Sequence, residues 1–157
     1  MNFEKFSERS RGLVQAAQAI ALRENNQRVM PEHLLKALLD DEQGLASNLI
    51  LSAGGDPATA RAENDAAVAK IPKVEGGDQL FMDTQTAKVL TEAEKLAEKA
   101  GDSFVTVERI LMALSMVKSE ASAALDTAGV NAQALNAAIN EIRKGRTADT
   151  ASAEEGY

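Results

Sequence analysis

The chain has 157 residues, a formal net charge of −7, no cysteine and only 3% aromatic residues. This length suits one domain or two closely packed halves of one, and a core rich in leucine and alanine but poor in aromatic residues favours closely packed helices. The acidic balance argues against a nucleic-acid partner, and the lack of cysteine excludes disulfides and thiol chemistry.

Apolar residues at helical spacing predict four helices in the first half of the chain. The first begins near Ser7, a good N-cap, and runs to about Glu24. The second begins at Pro31, because proline fits the first helical position, where a missing N–H costs nothing. The third closes at Gly54, which suits a helix C-terminus. The predicted helices are about 7–24, 31–39, 44–52 and 57–71.

The segment 72–82 contains glycines and a proline without helical periodicity, so we predict a connector there. The second half then gives the same pattern of two longer and two shorter helical segments. These helices are predicted at about 83–100, 107–117, 119–127 and 131–144. No segment alternates with period 2 and is also rich in β-branched or aromatic residues, so no strand is expected.

The second half repeats the first with an offset of 76 residues, and the offset falls to 75 between residues 49 and 53. Five identical pairs lie in one ten-residue window: Val29/Val105, Glu32/Glu108, Leu35/Leu111, Ala37/Ala113 and Leu38/Leu114. Such a period marks a duplicated structural unit. We therefore predict an all-α fold of about eight helices, with two pseudo-symmetric four-helix repeats, at about 6–71 and 83–145, packed into one domain.

The segment from Arg146 onward contains mostly small polar residues and almost no apolar ones. Such a segment buries too little surface to offset the entropy of ordering, so 146–157 is expected to be a flexible tail or the start of a linker.

No motif for catalysis is present. The phosphate-binding pattern of nucleotide hydrolases is missing, and the glycine pairs at 54–55 and 76–77 occur where a helix ends or in the connector. The only histidine, His33, has Arg109 as its counterpart, which suggests a solvated position without a metal or catalytic role. No apolar run exceeds five residues, so neither a signal peptide nor a membrane partner is expected, and cytoplasm is the default location.

Two pairs of residues are candidates for binding. Glu32 and Glu108 each fall near the second helical position, where a carboxylate either complements the helix dipole or anchors a basic group of a ligand. Val14 and Leu90 flank the apolar stripes of the two long helices, so they either widen the core or line a shallow apolar groove. The sequence leaves both alternatives open.

The duplicated unit, with NQRVMPEHLLKALLD in one half and GDSFVTVERILMAL in the other, resembles the amino-terminal Clp repeat domain of ring-forming, protein-unfolding ATPases. The connector IPKVEGGDQ and the segment KLAEKAGD are most similar to the disaggregase branch of that family. The resemblance covers about residues 1–145. It implies a mobile, non-catalytic domain whose ATP and magnesium are bound by ATPase modules outside this chain.

In that branch, the resemblance implies that substrate engagement involves Ser7, Asp102 and Glu108, with Leu90 lining an apolar site. Val14, the repeat counterpart of Leu90, is a candidate for the same site from the pattern alone. Ser7 replaces a threonine that is common in relatives, which keeps the hydroxyl. In the protease-associated branch, glutamates matching Glu32 and Glu108 recognise arginine phosphate.

The resemblance therefore implies a substrate-binding module that captures exposed apolar segments of misfolded or aggregated proteins for threading by an ATPase ring. The expected partners are such unfolded segments and the rest of the ring, and the isolated chain is expected to be a monomer. The alternative function is docking of a folded adaptor or recognition of arginine phosphate in a protease-associated unfoldase.

Overall fold

Eight α-helices form the described part of the chain, which in this computed structural model comprises residues 2–76 and 79–157. The helices are α1 (Glu8–Arg23), α2 (Pro31–Asp40), α3 (Leu45–Ser52), α4 (Pro57–Ala69), α5 (Thr84–Lys99), α6 (Val107–Met116), α7 (Glu120–Thr127) and α8 (Ala132–Arg143). Residues 77 and 78 of the predicted connector, including the second glycine of the 76–77 pair, lie outside the described residues. The predicted all-α fold is confirmed.

The helix boundaries follow the sequence repeat. Helices α5 and α6 begin and end 76 residues after α1 and α2, and α7 begins and ends 75 residues after α3. Helices α2 and α6 lie at the centre, and almost every side chain on them is buried. The two repeats also pack into each other, because α4 contacts α7 and α3 contacts α8. No helix of the described residues is both long and apolar enough to cross a membrane.

A short parallel β-pair joins the two repeats, which corrects the expectation of no strand. Strand β1 (Arg28–Val29) pairs with β2 (Phe81–Met82), and a single bridge between Phe6 and Val105 repeats this pairing in the other half. Two residues are too few to show a period-2 pattern, and the pairing joins segments far apart in sequence. The sequence therefore carried no local signal for it.

Equivalent hydroxyls support these two pairings. The Oγ of Ser10 donates to the carbonyl of Val105 at 2.8 Å, and the Oγ1 of Thr86 donates to the carbonyl of Val29 at 2.6 Å. Both hydroxyl side chains are buried. Each repeat thus anchors its first helix to the loop that precedes the short central helix of the other repeat.

The segment 146–157 is packed against the domain, so the expectation of a flexible tail is wrong for this structure. Ala148 and Glu154 are buried, and residues 153–156 form a short 3-10 helix. The amides of Ser103 and Phe104 donate to the carbonyl of Ala148, and the amide of Glu8 donates to that of Ala151. The prediction failed because it considered only the apolar content of the segment, whereas hydrogen bonds hold the segment against the domain.

Candidate functional site

The structure brings three of the sequence-predicted site residues into one polar cluster around Arg143, at the end of α8. The Nε of Arg143 donates to Glu108 at 2.9 Å, and its Nη1 donates to both carboxylate oxygens of Asp102, at 2.8 and 2.9 Å. Its Nη2 donates to the Oγ1 of Thr106 at 2.9 Å. Ser7 closes the cluster through Glu154, which accepts from the Ser7 hydroxyl at 2.5 Å.

The local backbone structure directs Asp102 and Glu108 toward Arg143. Gly101 ends α5 in the left-handed conformation, with φ of 78°, and so turns Asp102 back toward the domain. Glu108 is the second residue of α6, where its carboxylate also complements the helix dipole. The sequence left two roles open for Glu108, helix-dipole partner and ligand anchor. The structure adds a third, because Glu108 forms a buried ion pair with Arg143 of the same chain.

The cluster is closed to solvent. Ser7 is fully buried, Glu108 is 1% exposed, and the side chain of Asp102 has no exposed surface beside an Arg143 side chain that is 2% exposed. These groups therefore do not form the polar edge of an open groove, as the sequence had suggested. In this conformation a ligand could reach them only after residues 147–157 move.

Leu90 and Val14 are core residues. Leu90 is fully buried and Val14 is 6% exposed, and both belong to the apolar core. Their burial supports the alternative in which they widen the buried face. Their role in substrate binding stays a prediction. Each helix buries a wider stripe than the spacing of its strongest apolar residues indicated.

The first repeat lacks the buried ion pair. Asn26 and Val68 stand where the second repeat has Asp102 and Arg143, so buried Glu32 has no arginine beside it among the described residues. Burial raises the pKa of Glu32 above its usual value. The second repeat thus carries Asp102 and Arg143 where the first carries the uncharged Asn26 and Val68, so both charges are lost together.

His33 is fully buried, so the expectation of a solvated position is wrong, and its counterpart Arg109 is buried as well. The Nδ1 of His33 accepts from the amide of Met30 at 2.8 Å, so its Nε2 carries the proton and donates to the Oδ1 of Asn26 at 2.8 Å. Burial lowers the pKa of His33 to about 4. The imidazole is neutral and caps the first turn of α2.

An apolar groove of about 720 Å³ lies elsewhere, between α1 and the α2–α3 segment. Its wall and floor are lined by Gly12, Leu13, Ala16, Ala19, Ile20, Ala37, Leu38, Leu45, Ala46 and Val107. Its rim carries charges of both signs, from Arg9, Arg23, Asp40, Asp41 and Glu42, with Gln43 beside them. A cavity of this size with apolar walls and a few polar groups at its edge has the form of a ligand-binding cleft.

Small residues on α1 open this groove. Gly12, Ala16 and Ala19 are exposed at helical spacing, and the equivalent positions of α5 carry Lys88, Glu92 and Lys95. A Cβ added at Gly12 would meet no atom within 4 Å. Long charged side chains thus stand on α5 where α1 has residues no larger than alanine, so the two long helices present different surfaces at this position.

One rim residue also contacts the C-terminal segment. The Nε of Arg9 binds Glu155 at 3.0 Å, and its guanidinium also donates to Gln43 in the α2–α3 loop. Asp40 is paired with Arg61 at 2.7 Å. The groove therefore has an apolar floor whose larger side chains are mostly buried, with Leu13 7% and Ile20 5% exposed. Its rim is already partly neutralised by the chain itself.

Sequence reasoning missed Arg143 and the groove, although both had a signal. Arg143 follows Leu135 and Ile139 at the spacing of the buried face of α8, so an arginine at that position required a buried partner. The signal for the groove was a difference between the repeats, since Ala16 on α1 corresponds to Glu92 on α5. The repeats had been compared mainly for identical residues.

The comparisons with known proteins agree with the fold and the repeat. The model of the Clp repeat (R) N-terminal domain family matches residues 5–128, and the chain belongs to that family. It is 60% identical to the chaperone protein ClpB of Agrobacterium fabrum and 40% identical to that of Rickettsia felis, in both cases over the whole of this chain. The chain spans only 18% of the length of these relatives.

Solved structures share the fold at low sequence identity. The Hsp104 N-terminal domain from Candida albicans matches with a TM-score of 0.83 and 22% identity, covering 95% of this chain and 98% of that one. The N-domain of ClpV from Vibrio cholerae matches with a TM-score of 0.72 and 18% identity, covering 94% and 90% of the two chains. The resemblance to the ClpB branch that the sequence motifs indicated is confirmed.

Proposed function

We propose that this chain is a non-catalytic substrate-binding domain that captures exposed apolar segments of misfolded or aggregated proteins in the groove between α1 and the α2–α3 segment. In this role it would pass the captured segment to an ATPase ring formed by the rest of a longer protein. Support for the ring comes from the curated relatives, which are ClpB chaperones about five times as long as this chain. ATP and magnesium belong to that ring.

The groove is the observation that carries the proposal. Its floor is apolar and includes Leu13, Ile20 and Leu38. Between Arg9 and Arg23 at its two ends, the exposed part of the α1 wall is made of Gly12, Ala16 and Ala19. A main chain with apolar side chains can approach such a wall closely and remove apolar surface from water, which contributes about 25 cal/mol per Å². Helical modules commonly bind peptides in this way.

Recognition of arginine phosphate has less support. In the second repeat the carboxylate of Glu108 already binds the guanidinium of Arg143, and both side chains are buried. In the first repeat Glu32 offers a carboxylate, but Asp83 is close enough to raise the pKa of Glu32 and would repel a phosphate. An extended apolar segment fits the accessible surface better than a doubly charged ligand does.

The proposal is tested by direct binding. A fluorescently labelled, reduced and carboxymethylated α-lactalbumin, which cannot refold, is titrated with the purified chain and followed by anisotropy. We expect binding without any other protein present, because the groove itself is the receptor. Failure of the chain to bind this probe, together with binding of a folded adaptor, would support the adaptor-docking alternative and contradict the proposal.

The matched variants are Ala16→Glu and Gln18→Glu. Ala16→Glu places in the groove the residue that α5 carries at the equivalent position, so α1 should accept it without loss of helix. Gln18 is exposed on α1 but does not line the groove, and the same new charge there is the control. Desolvating a carboxylate against the apolar floor should weaken binding about tenfold or more in the first variant only.

A further inference from the structure

The N-terminus of α6 has a capping group from the far end of the chain. Helix α2 begins with Pro31, which has no N–H, whereas the equivalent residue of α6, Val107, presents a buried N–H that needs an acceptor. Thr106, at the N-cap position, uses its hydroxyl to accept from Arg143. The carboxylate of Glu154 accepts from the Val107 amide at 3.1 Å instead.

The segment that carries Glu154 covers the polar cluster mainly by polar contacts, and Tyr157 packs partly buried against the apolar core. Besides Glu154, only Ala148 is buried in it, and the amide of Ala148 donates to Asp102 at 3.0 Å. The Arg143 guanidinium lies 5.8 Å from the ring centre of Tyr157. Segments with few buried apolar contacts are those that open at low free energy while the core stays folded.

Docking also has an electrostatic cost. Burial raises the pKa of Glu154 above its usual value, because the ionised carboxylate loses water when it enters the domain. The hydrogen bonds from Ser7 and Val107 offset this loss only partly, since one oxygen of Glu154 has no partner. The desolvation of Glu154 therefore opposes docking of the segment.

We propose that residues 147–157 form a releasable strap, which docks through Glu154 and controls access to the cluster of Ser7, Asp102 and Glu108. The docked strap buries these groups, as in this structure. Release exposes two carboxylates and a guanidinium to solvent and to other proteins, and it frees Arg9 at the rim of the apolar groove from Glu155. The inference does not depend on the proposed function, because it concerns the chain's own segment.

Hydrogen exchange measured by NMR tests the strap. Four of the amides that bond between the strap and the rest of the domain serve as reporters, namely the N–H groups of Glu8, Ser103, Val107 and Ala148. The amides of Leu35 and Leu111, in the fully buried central helices, serve as references. After correction for intrinsic rates, the reporters should exchange at least about tenfold faster than the references. If the reporter and reference amides were equally protected, the segment would be an integral part of the fold, and the proposal would be overturned.

Glu154→Ala and Glu155→Gln form the matched pair of variants. Glu154→Ala should accelerate exchange of all four reporters about tenfold or more, including the distant Ala148, and leave the two references unchanged. Glu155 makes only a half-exposed ion pair with Arg9, so its loss should change the reporters less than about threefold. Acceleration confined to the Val107 amide would contradict release as one unit.

Tyr157 provides an independent readout because it is the only tyrosine and the chain has no tryptophan. The phenol is partly buried against the core in the docked strap. Acrylamide should therefore quench the tyrosine fluorescence more strongly in Glu154→Ala than in Glu155→Gln. Equal quenching in the two variants would tell against the strap.

Discussion

Arg143 donates to Glu108 at 2.9 Å in a pair that is almost fully buried, and the first repeat has no equivalent of it. The position of Arg143 is taken there by Val68, and Glu32 keeps the carboxylate. The two repeats thus share a fold but differ in the charges they bury. The ion pair joins α8 to α6 and so holds the end of the second repeat in place.

Loss of Arg143 should be costly. Arg143→Met leaves Glu108 buried without its ion-pair partner, while Asp102 keeps a contact with Arg109 at 3.6 Å. Breaking such a buried pair typically costs about 3–5 kcal/mol of unfolding free energy. Urea unfolding followed by circular dichroism measures the change. The Arg143→Met, Glu108→Gln double variant should be less destabilised than the sum of the two single variants. Additive single effects would mean that the two residues do not interact.

Leu90 should affect stability without affecting the groove. Leu90→Ala removes a fully buried side chain and should cost about 2–5 kcal/mol, while binding of unfolded protein per folded molecule stays at the wild-type level. Leu22→Ala is the control, because that side chain is 54% exposed. A folded Leu90→Ala protein with selectively weakened binding would support the sequence-based prediction that Leu90 lines the site.

Acid should weaken the fold through His33. Its pKa is about 4 in the folded chain and about 6.5 when unfolded, so the unfolded state takes up the proton first. The contribution to stability is fully present above pH 6.5 and is lost as the pH falls toward 4, by about 3 kcal/mol at most. His33→Gln should remove this part of the pH dependence. If the unfolding free energy of His33→Gln depended on pH between 6.5 and 4 as steeply as that of the wild type, a buried neutral imidazole would be contradicted.

Glu32 and Glu154 act in the opposite direction in such a titration. Burial raises both pKa values, so their protonation favours the folded state as the pH falls. The test therefore uses the difference in unfolding free energy between wild type and His33→Gln at each pH. This difference cancels the contribution of the two carboxyl groups.

The two hydroxyls that join the repeats should contribute equally. Ser10→Ala and Thr86→Val each remove one of two donors to a loop carbonyl, since the amides of Ser7 and Asp83 also donate there. Each change should cost about 0.5–1.5 kcal/mol in urea unfolding. Thr91→Val, at an exposed site on α5, should cost less than about 0.5 kcal/mol. Clearly unequal losses would contradict equivalent roles.

The sequence predicted the fold well because the fold depends on local signals that occur twice. Apolar spacing set the helices, and the pairs Leu35/Leu111 and Val29/Val105 showed that one unit had been duplicated. The β-pair between residues 28–29 and 81–82 could not be predicted, because two residues have no periodicity and their partners are distant in sequence.

The candidate site was less predictable for a different reason. Ser7, Asp102 and Glu108 do lie together, but their burial depends on Arg143 and on Glu154, which approaches from the far end of the chain. Composition alone made the last segment look unstructured, since its anchors are a carboxylate and single hydrogen bonds. The contacts of Glu154 with Ser7 and Val107 had no local sequence signal, whereas Arg143 had one in its position on the buried face of α8.

The most direct test of substrate binding uses the second repeat as an internal control. In an amide-resolved NMR titration with reduced, carboxymethylated α-lactalbumin, the largest shifts should fall on Gly12, Ala16 and Ala19 of α1. The equivalent positions of α5, at Lys88, Glu92 and Lys95, should shift little because long charged side chains stand there in place of small residues. Equal shifts on both helices, or shifts confined to α5, would contradict binding in the α1 groove.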